Sequence, residues 1–114
     1  MAEHDFAALT SNAHEDWTLF VIRLHDRPGA GELRKQLLRA HLEWVAAHGD
    51  TLREAGSLRD SPDGTPVGGL WVVRAPSKAA VEALIATDPF TTGGLRAGWD
   101  IFYWSKALPQ PVSF

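Results

Sequence analysis

Two stretches of this chain are apolar on both sides of an extended strand, and this limits the possible folds more than any other feature. Between Trp17 and Leu24, Trp17, Leu19 and Val21 share one parity, while Phe20, Ile22 and Leu24 share the other. Between Trp99 and Trp104, Trp99, Ile101 and Tyr103 oppose Phe102 and Trp104. Successive side chains point to opposite faces of a sheet, so strands of this kind need cover on both.

The rest of the chain supplies cover for one face. After the breakers Asp26, Pro28, Gly29 and Gly31, the residues Leu33, Leu37, Leu38, Leu42, Val45 and Ala46 recur at helical spacing, and the helix from Glu32 to Ala47 closes near Gly49. Thr51 to Arg59 reads as a strand, Ser61, Pro62, Asp63 and Gly64 as a turn, and Val67 to Arg74 as a third strand. Ser77 is placed to cap a second helix that buries Val81, Leu84 and Ile85 and ends around Asp88, because Pro89 cannot continue it. A loop from Thr91 to Gly94 precedes the last strand. The order βαββαβ with right-handed crossovers gives an α+β, ferredoxin-like domain, a four-stranded antiparallel sheet with two helices on one face. The expected cover for the helix-free face is a second copy, packed sheet to sheet as a homodimer. The chain's own tails are the alternative cover, although short terminal segments are seldom ordered.

Composition sets the outer bounds. At 114 residues and 45% apolar content, one core can be filled and two cannot, so a leader (1–16), one domain (17–107) and a tail (108–114) are expected. Eleven Lys and Arg are scattered among fourteen Asp and Glu, a net charge of −3 that offers no basic face to nucleic acid. The absence of cysteine removes disulfides and thiolate metal sites and suits a reducing cytoplasm. The leader carries His4, Asp5, His14, Glu15 and Asp16 without a continuous apolar core, unlike a signal peptide or membrane span. Its expected state is a flexible polar tail, and the end of the chain, Pro109 to Phe114, is too Pro-rich for a central strand. Gly68 and Gly69 read as a bulge rather than a phosphate loop, since no helix with a Lys and a Ser or Thr follows them. No Gly-x-Ser-x-Gly, His-Glu-x-x-His or calcium loop occurs, so no cofactor or metal is expected.

Chemistry is therefore left to few groups. At about 100° per residue, His41 falls inside the arc of Leu37, Leu38 and Val45, opposite Glu32, Lys35, Gln36, Arg39 and Glu43. Asp88 falls between the directions of Leu84 and Ile85. An inward histidine is commonly a satisfied core residue, and an Asp before Pro commonly closes a helix. Both groups, however, enter the same layer between helices and sheet. A buried carboxylate is costly alone and an imidazole offsets it, while the carboxylate fixes the imidazole's tautomer, as acid-base chemistry requires. His48 follows His41 at nearly the same helical direction, but at the helix C-terminus its role is to complement the helix dipole. His25 ends the first strand and is a candidate for the pocket mouth, and Trp44 for a pocket wall, against simpler roles as an exposed strand end and a core residue.

The run Leu38, Arg39, Ala40, His41, Leu42, Glu43, Trp44, Val45, with Glu54, Ala55, Gly56, Ser57, Leu58, and later Asp88, Pro89, Phe90, Gly94 and Leu95, resembles the YciI-like (YCII-related) family. The resemblance spans Trp17 to Ala107. It implies a dimeric α+β barrel related to muconolactone isomerases and cofactor-free monooxygenases, with a His and Asp site that maps to His41 and Asp88. It also makes Phe90 and Ser57 candidates for substrate binding beside Trp44 and His25. The polar leader departs from the family's pattern, and Ser57 stands where many relatives have Pro, which bears on pocket shape.

Two functions follow. One is a small cytoplasmic enzyme in which His41 and Asp88 perform isomerisation or elimination, such as dehydrochlorination, on a small apolar or aromatic-derived substrate. The other is a non-catalytic dimer that binds a small ligand or serves as an accessory protein, with the same pair fixing its helices.

Overall fold

The computed structural model describes residues 17–108, so the leader (1–16) and residues 109–114 of the tail lie outside the described residues. The elements are β1 (Thr18–Asp26), α1 (Gly31–Ala47), β2 (Leu52–Leu58), β3 (Gly68–Ala75), α2 (Lys78–Thr87), α3 (Pro89–Thr92) and β4 (Arg96–Tyr103). The strands form one sheet in the order β2-β3-β1-β4 with every neighbouring pair antiparallel. This is the α+β, ferredoxin-like arrangement that the strand and helix pattern implies.

The two parities of β1 have different surroundings. Phe20, Ile22 and Leu24 are fully buried with Trp71 and Val73 of β3, beneath Trp44 of α1 and Val81 and Ile85 of α2. Ile101 and Trp99 of β4 pair with Ile22 and Leu24 and pack against that core. On the other face Leu70 and Phe102 are exposed. Both helices therefore cover one side of the sheet, and the apolar residues of the other side have no cover among the described residues.

Three local expectations are corrected. The inward line of α1 runs through the half-buried Arg34, Leu37 and His48 and the buried His41 and Trp44, at alternating spacings of three and four, while Leu38 and Leu42 are exposed. Those two leucines sit one position round from the line, and about 100° of rotation carries them off the sheet. Second, Gly68 and Gly69 are not a bulge, since both pair in register with β1 and β2. They are glycines because β3 runs close to its neighbours: a Cβ at Gly68 would collide with the Leu24 carbonyl. The register shifts instead lie between His25 and Asp26 and between Leu52 and Glu54. Third, the loop after Pro89 contains a one-turn helix, α3, with Pro89 in its first turn, where a missing N–H costs nothing, and Asp88 as its N-cap. As expected, Ser77 caps α2 by accepting from the Ala80 N–H, and the turn at Ser61–Gly64 closes with a backbone bond of 3.1 Å.

Candidate active site

Helices and sheet converge near the C-terminal end of β1. His41 projects from the middle of α1, Asp88 occupies the joint between α2 and α3, and Arg96 begins β4. His41 Nδ1 donates to Asp88 Oδ1 at 2.7 Å. Asp88 is fully buried and its Oδ1 also accepts from the Phe90 N–H at 3.0 Å, so the same oxygen caps α3 and orients the imidazole. The joint at Pro89 explains the position: Asp88 leaves α2 in an extended conformation, which the following proline favours, and this aims its carboxylate back at α1.

Below the pair lies a buried ionic network. Arg96 Nη1 donates to Asp26 Oδ1 at 2.7 Å, and Arg34 Nε donates to Asp26 Oδ2 at 3.1 Å. Arg96 Nη2 stands 4.0 Å from Asp88 Oδ2, an oxygen with no hydrogen-bond partner among the described residues. The side chains of Arg96, Asp26 and Asp88 are 1%, 4% and 0% exposed, so these charges act on one another with little solvent screening. Burial pushes the Arg96 guanidinium below its usual basicity, and its hydrogen bond to Asp26 opposes that shift.

Phe90 is the centre of the packing. Its ring stacks on the His41 imidazole at 3.8 Å between centroids and 8° between planes. The guanidinium carbons of Arg34 and Arg96 lie 4.8 and 4.9 Å from the same ring. His41 has a side chain 11% exposed, and its only hydrogen bond among the described residues is the one through Nδ1. Nε2 has no hydrogen-bond partner among the described residues. Beside the pair, a cleft of about 450 Å³ opens between Arg34, Lys35 and Leu38 of α1 and the loop at Thr65 and Pro66. It does not include His41 or Asp88; Arg34 links the two through Phe90.

The other expected site residues are distributed unevenly. Trp44 is buried against Trp71 at 5.3 Å, with its Nε1 donating to Thr87 Oγ1 at 3.0 Å, and its ring centroid is 6.1 Å from that of His41. Ser57 is exposed on the edge strand β2 opposite Gly69 and does not reach the pair. His25 points to the helix-free face, where its Nε2 donates to Asp100 Oδ2 at 2.7 Å, away from His41 and Asp88. His48 is the C-cap residue of α1 and its Nδ1 donates to the Trp44 carbonyl at 2.7 Å. Sequence reasoning missed Arg34, Asp26 and Arg96. Arg34 precedes His41 by seven residues, and Asp26 shares the parity of Ile22 and Leu24, so both were accessible as signals. Arg96 was not, because a register shift brings it opposite Asp26.

The profile of the YCII-related domain family matches residues 18–105. The chain belongs to this family. No curated protein matches the sequence. Among solved structures, this YCII-related domain is similar to 5-chloro-2-hydroxyhydroquinone dehydrochlorinase from Burkholderia phenoliruptrix, solved with 2,5-dihydroxybenzoquinone. The two are 27% identical, with a TM-score of 0.70 over 76% of this chain and 93% of that one. A monooxygenase-like structure described as belonging to antibiotic biosynthesis, from Bacteroides thetaiotaomicron, is 14% identical over 90% of this chain and all of its own, with a TM-score of 0.57. At that identity the second likeness speaks for the fold alone.

Proposed function

We propose that this YCII-related protein is a small acid-base enzyme that performs elimination or isomerisation on a small apolar or aromatic-derived molecule. The observation that carries the reading is the 2.7 Å bond from His41 Nδ1 to a fully buried Asp88, which leaves Nε2 as the open nitrogen. With Nδ1 committed as donor, Nε2 presents a lone pair that takes a proton from an acidic C–H or O–H group. The electron pair released then expels a leaving group such as chloride or shifts a double bond, and the same nitrogen returns the proton in an isomerisation. Asp88 stabilises the imidazolium formed on the way. The similarity to a dehydrochlorinase supports elimination from a hydroxylated ring. The lack of cysteine suits a cytoplasmic setting. A second copy on the helix-free face, where Leu70 and Phe102 are exposed, completes the proposed assembly.

Asp88 also caps α3, and that contact favours a second reading in which the pair only fixes helices in a non-catalytic ligand-binding protein. The two separate cleanly. The protein is incubated with 5-chloro-2-hydroxyhydroquinone without oxygen, following chloride release, and with enolisable ketones and lactones in deuterated water, following C–H exchange by NMR. Catalysis that falls by about 100-fold or more in folded His41→Gln and Asp88→Asn variants supports the enzyme. Wild-type protein silent on every probe, with both variants unfolded, leaves the structural role.

A further inference from the structure

The site contains more charge than a His and Asp pair needs. Arg34, Asp26, Arg96 and Asp88 form a chain of alternating charge, joined at 3.1, 2.7 and 4.0 Å, and the His41 imidazole ends it 2.7 Å from Asp88. They come from α1, β1, β4, the α2–α3 joint and α1 again, so the network ties every layer around the site together. One device in the strands places Arg96. The register shift between His25 and Asp26 sets Asp26 opposite Arg96, and a bulge of this kind re-aims side chains. Gly69 lies beside the guanidinium, where a Cβ would make ordinary contact with Arg96 Nη2 at 3.4 Å and a tight one with the Gly56 carbonyl at 3.0 Å.

We infer that Arg96 is a positioning residue of the His41–Asp88 pair, a fixed counter-charge that holds Asp88 as a carboxylate while leaving its Oδ1 to His41. A fully buried carboxylate facing only a neutral imidazole is costly, and a cation 4.0 Å from its other oxygen offsets part of that cost. The distance exceeds a hydrogen bond, so Arg96 acts through its charge. Asp26 shares its two oxygens between Arg96 and Arg34 and thereby keeps Arg96 from closing on Asp88. The consequence falls on Nε2. With Arg96 present, the charge of Asp88 is balanced before His41 takes up a proton, so Nε2 is available as a base. Without it, Asp88 would draw the balancing proton onto His41 itself.

The inference rests on the acid-base reading of the pair, but its test needs no substrate. The full chain is labelled with 15N-histidine, and the His41 ring signals, assigned by their loss in His41→Gln, report the ratio of protonated to bare Nε2 at one fixed pH. Arg96→Met raises that ratio by about threefold or more, the order expected for a unit charge lost within a few ångströms of the pair. Arg96→Lys restores it towards wild type. Val81→Ala, a core truncation away from the network, lowers stability but leaves the ratio unchanged. If Arg96→Met does not fold, Asp26→Asn decides: Arg96, freed to approach Asp88, lowers the ratio. An unchanged ratio in Arg96→Met, or an unchanged or raised ratio in Asp26→Asn, overturns the inference. Shifted ratios in a protein that turns nothing over would sink the enzyme reading and leave the role of Arg96 standing.

Discussion

The imidazole of His41 lies almost parallel to the ring of Phe90, with 3.8 Å between centroids and 8° between planes. Together with the bond to Asp88, the stack restricts rotation of the imidazole about its Cβ–Cγ bond and so bears on where Nε2 points. The guanidinium groups of Arg34 and Arg96 also lie over the Phe90 ring. Phe90→Ala should therefore destabilise the protein by about 3–5 kcal/mol in urea unfolding, as expected for a buried Phe. Phe90→Leu fills most of the same volume and should cost less than about 1.5 kcal/mol. In that milder variant the His41 ring signals should broaden even though the fold persists, which NMR of the labelled chain would read. Sharp, unshifted signals would show that the stack does not orient the ring.

Asp88 holds two jobs on one oxygen, and substitution can separate them. Asn keeps an acceptor for the Phe90 N–H, so the cap on α3 survives in Asp88→Asn; Ala removes it. Asp88→Ala should accordingly be less stable than Asp88→Asn by about 1 kcal/mol, measured by chemical denaturation. Both variants lose the carboxylate that faces Arg96 and His41, so they should be equally impaired in any turnover that depends on Nε2. Equal stability would mean that the short helix does not depend on this cap.

How much of this was legible follows from which forces act locally. The two-parity strands at Trp17–Leu24 and Trp99–Trp104 declare a sheet with two apolar faces because alternation is a property of the strand alone. His41 and Asp88 were legible for the same reason, since helical rotation fixes which way they point. The width of the inward arc around His41 is not legible, however, because Leu38 and Leu42 are as apolar as Leu37, and only packing on the sheet separates them. Of the two roles open to His25, pocket mouth or exposed strand end, the choice depends on which parity of β1 the helices cover, and alternation alone does not say. Arg96 was invisible in the sequence, because its partner Asp26 is 70 residues away and meets it through a register shift.

The glycine pair of β3 offers a contrast within one sheet. A Cβ at Gly68 would collide with the Leu24 carbonyl, a backbone atom held by the β1–β3 ladder that cannot move without breaking pairing. Gly68→Ala should therefore unfold the protein or cost more than about 3 kcal/mol, near the upper range for overpacking. At Gly56, opposite Leu70 on β2, a Cβ would meet nothing within 4 Å. Gly56→Ala should be neutral or stabilise by up to about 1 kcal/mol, because it restricts the unfolded chain without meeting anything in the folded one. Urea unfolding of the two variants side by side checks both signs.

The helix-free face provides the last prediction. Its apolar residues lie on the parity opposite Ile22 and Leu24: Val21 of β1, Leu70 and Val72 of β3 and Phe102 of β4, with Leu70 and Phe102 exposed at 40% and 54%. Val21 pairs with both Val72 and Phe102, so these side chains form one continuous strip across three strands. Beside the strip sit Arg23 and the His25–Asp100 ion pair, charges that would stay hydrated at a rim but resist deep burial. A second copy packed on the strip buries the apolar centre and leaves that rim wet, so the protein should run as a dimer in light scattering at micromolar concentration. Val72→Glu places a charge at the centre of the strip and should give a folded monomer, whereas Asp100→Ala at the rim should leave the dimer intact. Wild-type protein that scatters as a monomer would remove the second copy as the cover for this face.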